Sequence, residues 1–585
     1  MKKVLALLLA LLMVAGLLAG CNKEGEETPS TEPTQSGNTD PTTAPSFVPI
    51  EDDGEDGEDP YAYELPLTEE DISFTYWIPN GSSFEGFSTY DDNLFYQWME
   101  EQTGIDIIFE HPAVGSETEA FQTMILSGSY PEFVQGIKNR YNGGADKAIA
   151  DGILLRLNEY VDQYMPHYRQ VVYGTEETFI QAVSDAGNLW GVHHIVDVPQ
   201  GAWIGLGVRE DWLDKAGLTV EDCETIDDME HVLTVLKEYT YQNCGPLWMS
   251  NYSTFAGDGF CSAYDFGSTL SGHYFQNENG TVTYGPIKDG AKEYAAKMAD
   301  WYAKGLINKD YVATASWGTP QDRWVNGECG IGDFVYTTDE MFAASAAISD
   351  LNPDPNFRIQ ALTNPKKDAS QDWSDIHFRN TQGKIRPGNS MGITITALPN
   401  IELACKFWDF AWTDEGKVRS NWGSIGEKGD VNTISYIDET DANGDGHVEC
   451  YQDWTMQKFG NVTQVQTKCA VHNGPTYSIW SREWCTLSQR QIEYQNIWNR
   501  GNDDWVMPEG LTLTVDEGTE NASIVANANS TWHEWLVAVV TGAKSVDTFQ
   551  TEVVDVIKGM GIDTAVANQQ AALDRYNKRI EFMNK

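Results

Sequence analysis

"ISFTYWIPNGSSFEGFSTYDDNLFYQWMEEQTGIDIIFEHP", residues 72–112, is the stretch whose reading decides the fold. Its opening "ISFTYWIP" (72–79) alternates and is rich in β-branched and aromatic residues, which predicts a strand ended by Pro79. "NLFYQWMEEQTG" (93–104) reads as an amphipathic helix stopped by Gly104, and "IDIIFEHP" (105–112) as a second strand. Downstream, "ETEAFQTMILSGSYPEFV" (117–134) is a helix closed by Ser127-Gly128, then a turn into another strand. Strand–helix–strand alternation of this kind predicts an α/β lobe.

The residues before this lobe have a different character. Met1-Lys2-Lys3 precedes an apolar run from Val4 to Leu18, too short to span a membrane comfortably and laid out like a secretory signal over 1–20. Leu18-Ala19-Gly20-Cys21 resembles a bacterial lipobox, which implies acylation of Cys21 and cleavage just before it. An ordinary signal peptide is the alternative reading. Residues 21–65, with "EDDGEDGED" at 51–59, bury too little apolar surface to offset their ordering entropy and read as a disordered, self-repelling linker. The expected location is therefore the outer face of the cell membrane, through a lipid anchor.

About 520 residues follow the linker, too many for one ordinary core, so at least two lobes are expected. The chain carries 88 Asp and Glu against 38 Lys and Arg, a net charge of −50. That balance excludes nucleic acid and an anionic membrane surface as partners, and it points to a neutral ligand. Nine cysteines include Cys21 and form neither CxxC nor a zinc pattern; disulfides and buried thiols both remain open for the other eight.

Several blocks then occur in a telling order: "TGIDIIFEHP", "FQTMILSGSYPEFV", "DGILLRLNEYVDQYMPHY" (151–168), "GVREDWLDKAGL" (207–218), "MADWYAKGLINKDYV" (298–312), "ACKFWDFAWTDEGKVRSNWG" (404–423) and "VDVIKGMGIDTAVANQQAALDRY" (554–576). Together they resemble extracellular solute-binding lipoproteins of carbohydrate ABC importers, over nearly all of 66–585. The resemblance implies a two-lobed, periplasmic-binding-protein-like (type II) α/β fold with a hinge and an interlobe ligand cleft. It implies a first lobe at 66–208, a second at 209–360, a return to the first at 361–430, and C-terminal helices of the second at 431–585. It also implies a monomer that delivers an oligosaccharide, unaltered, to ABC permease subunits.

Signs of catalysis are few. No GxSxG, HExxH or GxxxxGK[ST] occurs, and His193-His194, adjacent in a strand, point different ways. Acidic residues are too numerous for carboxylate pairs to discriminate, so a surface glycoside hydrolase stays as an alternative, as does a glycan-adhesion protein without a transporter. Aromatic residues are more informative, because sugar rings pack C–H faces on aromatic faces. Trp77, Trp190, Trp203, Trp248, Trp317 and Trp422 lie in segments flanked by Gly, Asn, Asp or Ser, as do Tyr252, Trp480 and Trp484. Trp77 and Asn80 end the first strand, where an α/β lobe places ligand loops. Removing Trp77 is expected to weaken sugar binding and spare stability. Arg209 and Asp211 are either hydrogen-bonding partners of hydroxyls or a structural ion pair.

"DANGDGHVECYQD" (441–453) places Asp441, Asn443 and Asp445 at positions 1, 3 and 5 of an EF-hand-like loop, with Gly446 at the turn and the His447 carbonyl at 7. Gln452 stands where the bidentate Glu is usual, and Asp453 is one residue late. The loop reads as a structural Ca2+ site, against an exposed Asn-Gly/Asp-Gly turn.

Overall fold

The computed structural model describes residues 59–583 apart from 81–86, 199–200, 251–258, 268–273, 314–317, 378–382, 424–461, 481, 483–486 and 509. Strand β1 (Ile72–Trp77) pairs in parallel with β2 (Ile105–Glu110) and β3 (Phe133–Gln135). Helix α1 (Leu94–Thr103) joins the first two; the Asn93 side chain accepts from the Phe95 and Tyr96 amides, and Gly104 at φ 72° ends it. Helix α2 (Glu117–Ser127) leads into β3 and ends at Gly128 with φ 70°. Successive β1 residues face opposite sides. Phe74 and Tyr76 enter a core with Ile105, Phe133 and Trp408, whereas Trp77 joins Phe121 and Val134 on the other face.

After β3 come α3 (Ile137–Arg140), α4 (Pro166–Val172), α5 (Glu176–Ala182) and β4 (His194–Val196). The chain then enters a second core. There β5 (Ile204–Arg209) runs into α6 (Glu210–Ala216). A hairpin, β6 (Phe275–Glu278) and β7 (Thr281–Tyr284), precedes α7 (Asp289–Ala303). Strands β8 (Ile331–Val335) and β9 (Ile359–Ala361) flank β5, both antiparallel to it. Leu206, Val208, Trp212, Trp301 and Trp532 are buried in this lobe.

The chain re-enters the first lobe by Ile385 and adds β10 (Met391–Ile393) antiparallel to β3, giving a sheet in the order β10-β3-β1-β2. Helices α8 (Ile401–Phe410) and α9 (Asp414–Trp422) follow, broken where the Thr413 side chain caps the second. β11 (Thr476–Ser478) pairs in parallel with β4. These two strands leave the first lobe side by side: the Asp197 amide donates to Ser478 O at 3.0 Å, and the Asp197 carboxylate accepts from the Trp480 amide at 3.0 Å. Helix α10 (Gln489–Trp498) returns to the second lobe, where the Trp498 indole donates to Leu206 O.

Two long C-terminal helices complete the second lobe, α11 (Val515–Val540) and α12 (Ile562–Met583). From α12, Arg575 reaches Asp185 of the first lobe at 3.1 Å while also holding Glu517 of α11 at 2.6 Å. No helix among the described residues is long and apolar enough to cross a membrane. Cys223, Cys244, Cys329 and Cys405 are thiols, not disulfides.

Candidate functional site

The carboxyl ends of β1 and β3 meet one edge of the first-lobe sheet, where open α/β sheets hold ligands. β3 ends at Gly136, whose φ of 68° turns the chain into α3. A Cβ there would come within 3.0 Å of Gly388 O, so the close approach of the two segments requires glycine. The Gly136 amide donates to Ser390 O at 2.7 Å, and the Arg386 amide donates to His194 O at 2.9 Å. The same turn, 386–390, therefore borders both the sheet edge and the hinge strand β4.

A cavity of about 320 Å³ lies at this edge, lined by Thr118, Phe121, Gly136, Asn139, Arg140 and Gly388. Trp77 packs edge-on to the lining residue Phe121 with ring centroids 5.8 Å apart. The Arg140 guanidinium sits over the Trp77 ring at 5.4 Å, and Lys138 Nζ over Trp190 at 5.7 Å. Burial holds Arg140 below its ordinary pKa, against the opposing charge of Glu117. Trp190 meets His193 edge-on at 4.6 Å. Burial pushes the His193 imidazole down to about 3, so it is neutral, and its Nδ1 lies 2.5 Å from the Tyr168 hydroxyl. His194 is also depressed, by burial and then by Arg386 and Arg482; its Nδ1 donates to Gly474 O at 2.9 Å.

The residues expected from the sequence are distributed widely. Trp77 and Trp190 share one cluster and are almost wholly covered, at 5% and 1% exposure. Asn80 donates its amide to Ser88 O at 3.1 Å. Trp203 is half-buried just before β5, and Trp248 is buried in the same second-lobe cluster. Trp422 is buried at the end of α9. Arg209 is 1% exposed: it forks onto Asp211 with two bonds of 2.9 Å and also binds Asp354. The two faces of the pair's setting are aromatic, with Trp212 at 4.5 Å and Phe357 at 4.3 Å from the guanidinium. Cys21, Tyr252, Trp317, Trp484 and the loop residues Asp441, Asn443, Asp445, His447 and Gln452 lie outside the described residues. Among the described residues no group of three or more His, Cys, Asp or Glu could hold a metal ion.

The cavity's own polar residues, Thr118, Asn139 and Arg140, were missed in the sequence. The signal was available: "GIKNRYNGG" (136–144) follows the third parallel strand, as "WIPN" (77–80) follows the first.

The sequence profile of the bacterial extracellular solute-binding protein family matches residues 41–418. A search of curated proteins finds no match. Similar solved structures include the alginate-binding protein AlgQ2 without calcium ion, at 19% identity and TM-score 0.66 over 87% of this chain and 99% of that one. FusA, an ABC-transporter substrate binding protein of S. pneumoniae in complex with kestose, is 17% identical with TM-score 0.66, over 87% and 100%. An HMO binding, ABC-transporter associated solute binding protein from Bifidobacterium longum infantis is 13% identical with TM-score 0.66, over 86% and 99%. At these identities the likeness is one of fold. With two α/β lobes joined by hinge strands and a family profile matching most of its length, the chain belongs to the bacterial extracellular solute-binding proteins.

Proposed function

We propose that this protein captures an oligosaccharide in the cleft between its lobes and hands it unaltered to the permease subunits of an ABC importer. The observation that carries this reading is the cavity at the carboxyl edge of the first lobe's parallel strands, lined by Phe121 and the polar Thr118, Asn139 and Arg140, beside the turn that borders hinge strand β4. Hinge-linked lobes close on a ligand when binding energy favours the closed state. The names of the fold relatives, which bind alginate, kestose and HMO, support a sugar as the solute. Acylation at Cys21 would tether the protein, and the acidic linker would let it meet its transporter at high effective concentration. We further propose Ca2+ at 441–453, a reading supported by the acidic spacing and by the fold relatives described without calcium ion and as an EF-hand mutant.

The test is a glycan panel screened by thermal shift, with each hit recovered and analysed. A stabilising sugar recovered intact supports capture. A cleaved sugar supports the glycoside hydrolase instead, and a panel without a hit removes sugar as the solute. Membrane fractionation of Cys21→Ala tests the anchor: release is expected, and retention after alkaline wash would overturn it.

A further inference from the structure

The neutral ligand expected from the net charge rests on a property of the whole chain. The charged group in the cavity's own lining is a cation, Arg140, and there the nearest charges decide. Screening limits the reach of distant carboxylates to about 8 Å at physiological ionic strength, while a group at contact is scarcely screened.

Arginine is scarce in this chain, and the described surface arginines are largely spoken for. Arg156, Arg169, Arg323, Arg358, Arg419 and Arg575 each pair with a carboxylate. Arg140 differs. It is half-buried, it lines the cavity, and among the described residues no carboxylate pairs with it. Its contacts are the Trp77 ring below the guanidinium and the longer-range charge of Glu117. A guanidinium stacked on an aromatic face keeps its N–H donors in its own plane, so they are available to a planar acceptor. Asn139 and Thr118 line the same cavity and bring an amide and a hydroxyl. Lys138, over Trp190, adds a second positive charge on the same short helix.

We propose that this cavity receives the carboxylate of an acidic sugar residue, so that the captured oligosaccharide is a uronate-bearing glycan, with Arg140 forking onto the carboxylate and Trp77 supporting the guanidinium from beneath. The proposal rests on the sugar-capture reading above and names its substrate class. A two-oxygen planar anion matches the arginine fork with two parallel bonds, whereas a hydroxyl offers only one oxygen. A cavity of about 320 Å³ is at the small end for a ligand site, about 300–1,000 Å³, and so suits one subsite of a longer chain.

The experiment is calorimetric titration of the full chain with trimers to hexamers of galacturonate, mannuronate and glucuronate, each beside its carboxyl-reduced neutral form. At least one acidic oligomer is expected to bind about tenfold or more tighter than its reduced form, the scale of one charged hydrogen-bonded contact. Arg140→Gln should erase that difference while keeping the melting temperature, and Arg140→Lys should restore part of it. Binding of neutral oligomers alone, or an equal loss for both forms in Arg140→Gln, overturns the acidic ligand and leaves sugar capture standing. No binding by either set, with no hit in the glycan panel, overturns both.

Discussion

His167 Nδ1 lies 2.6 Å from Asp409 Oδ2, and its Nε2 lies 2.9 Å from Asp59 Oδ2. Asp409 is fully buried and also accepts from the Tyr63 hydroxyl at 2.7 Å and from the Tyr168 amide at 2.7 Å. One imidazole between two carboxylates can donate to both only as the imidazolium. The first described residues of the chain, 59–63, are thus fastened to the first lobe at the junction of α4 and α8.

This arrangement makes stability depend on pH. Burial opposes the His167 charge, but hydrogen bonds and attraction from Asp409 and Asp59 outweigh it and raise its pKa above the ordinary 6.5. A raised histidine contributes its stability in full below the unfolded value and loses it as pH rises through the folded value. The melting temperature is therefore expected to fall as pH rises above 6.5, through the raised pKa. His167→Gln should flatten that part of the profile, and a variant with the same slope as wild type would remove His167 as its source. Lys417 also attracts the Asp59 carboxylate, and burial followed by Asp409 raises the Tyr63 hydroxyl well above its ordinary value, so Tyr63 keeps its proton across this range.

Trp77 has a structural duty that its position at a strand end did not disclose. It is 5% exposed, against Phe121, Val134 and Ile137. Trp77→Ala should cost about 3–5 kcal/mol by leaving a cavity, read as a lower denaturant midpoint, in place of the unchanged stability expected from the sequence. Wild-type stability in that variant would show that the side chain is not part of the core.

The Arg209 group predicts a larger asymmetry. Asp211→Ala removes the bidentate partner of a guanidinium that is 1% exposed. Stranding a buried charge costs about 3–5 kcal/mol. Replacing both at once, as Arg209→Met with Asp211→Leu, should cost less than Asp211→Ala alone. Sugar affinity in the double variant should match wild type; a loss there would return Arg209 to the binding site.

For the proposed calcium loop, a ligand held only by the folded state stabilises by about 2.7 kcal/mol at a hundredfold excess over its Kd. Millimolar Ca2+ after EDTA treatment should raise the melting temperature, and Asp441→Ala with Asp445→Ala should abolish the rise. Equal melting in EDTA and Ca2+ would remove the site.

The first lobe was legible because its signals are local. Period-two alternation in β1 and the glycines at 104 and 128 all act within a few residues. Long-range assembly was not. β10 joins β3 from 256 positions away in register, Met391 opposite Gln135, and 462–478 packs back into the first lobe instead of continuing the second. The tryptophans show why site residues were harder. Glycine beside Trp190 looked like a loop signal, yet a Cβ on Gly191 would come within 2.4 Å of Met391 O. That glycine marks backbone pressed against backbone, which is how Trp190 comes to be covered. Composition reports flexibility and tight packing with the same residue.

The bond pair made by Arg575 has a mechanical meaning. One side chain, on α12, grips Asp185 in the first lobe and Glu517 of α11 in the second. A bolt through both plates fixes their spacing at one point, so the plates can swing but cannot slide. We expect spin labels beside residues 185 and 517 to keep their separation on ligand addition while labels at 118 and 336 draw together. Arg575→Met should let both distances vary; if the first pair already moves in wild type, the bolt is not a pivot. What a transporter would then sense is a single angle, set by how far the jaws have swung about their own C-terminal pin.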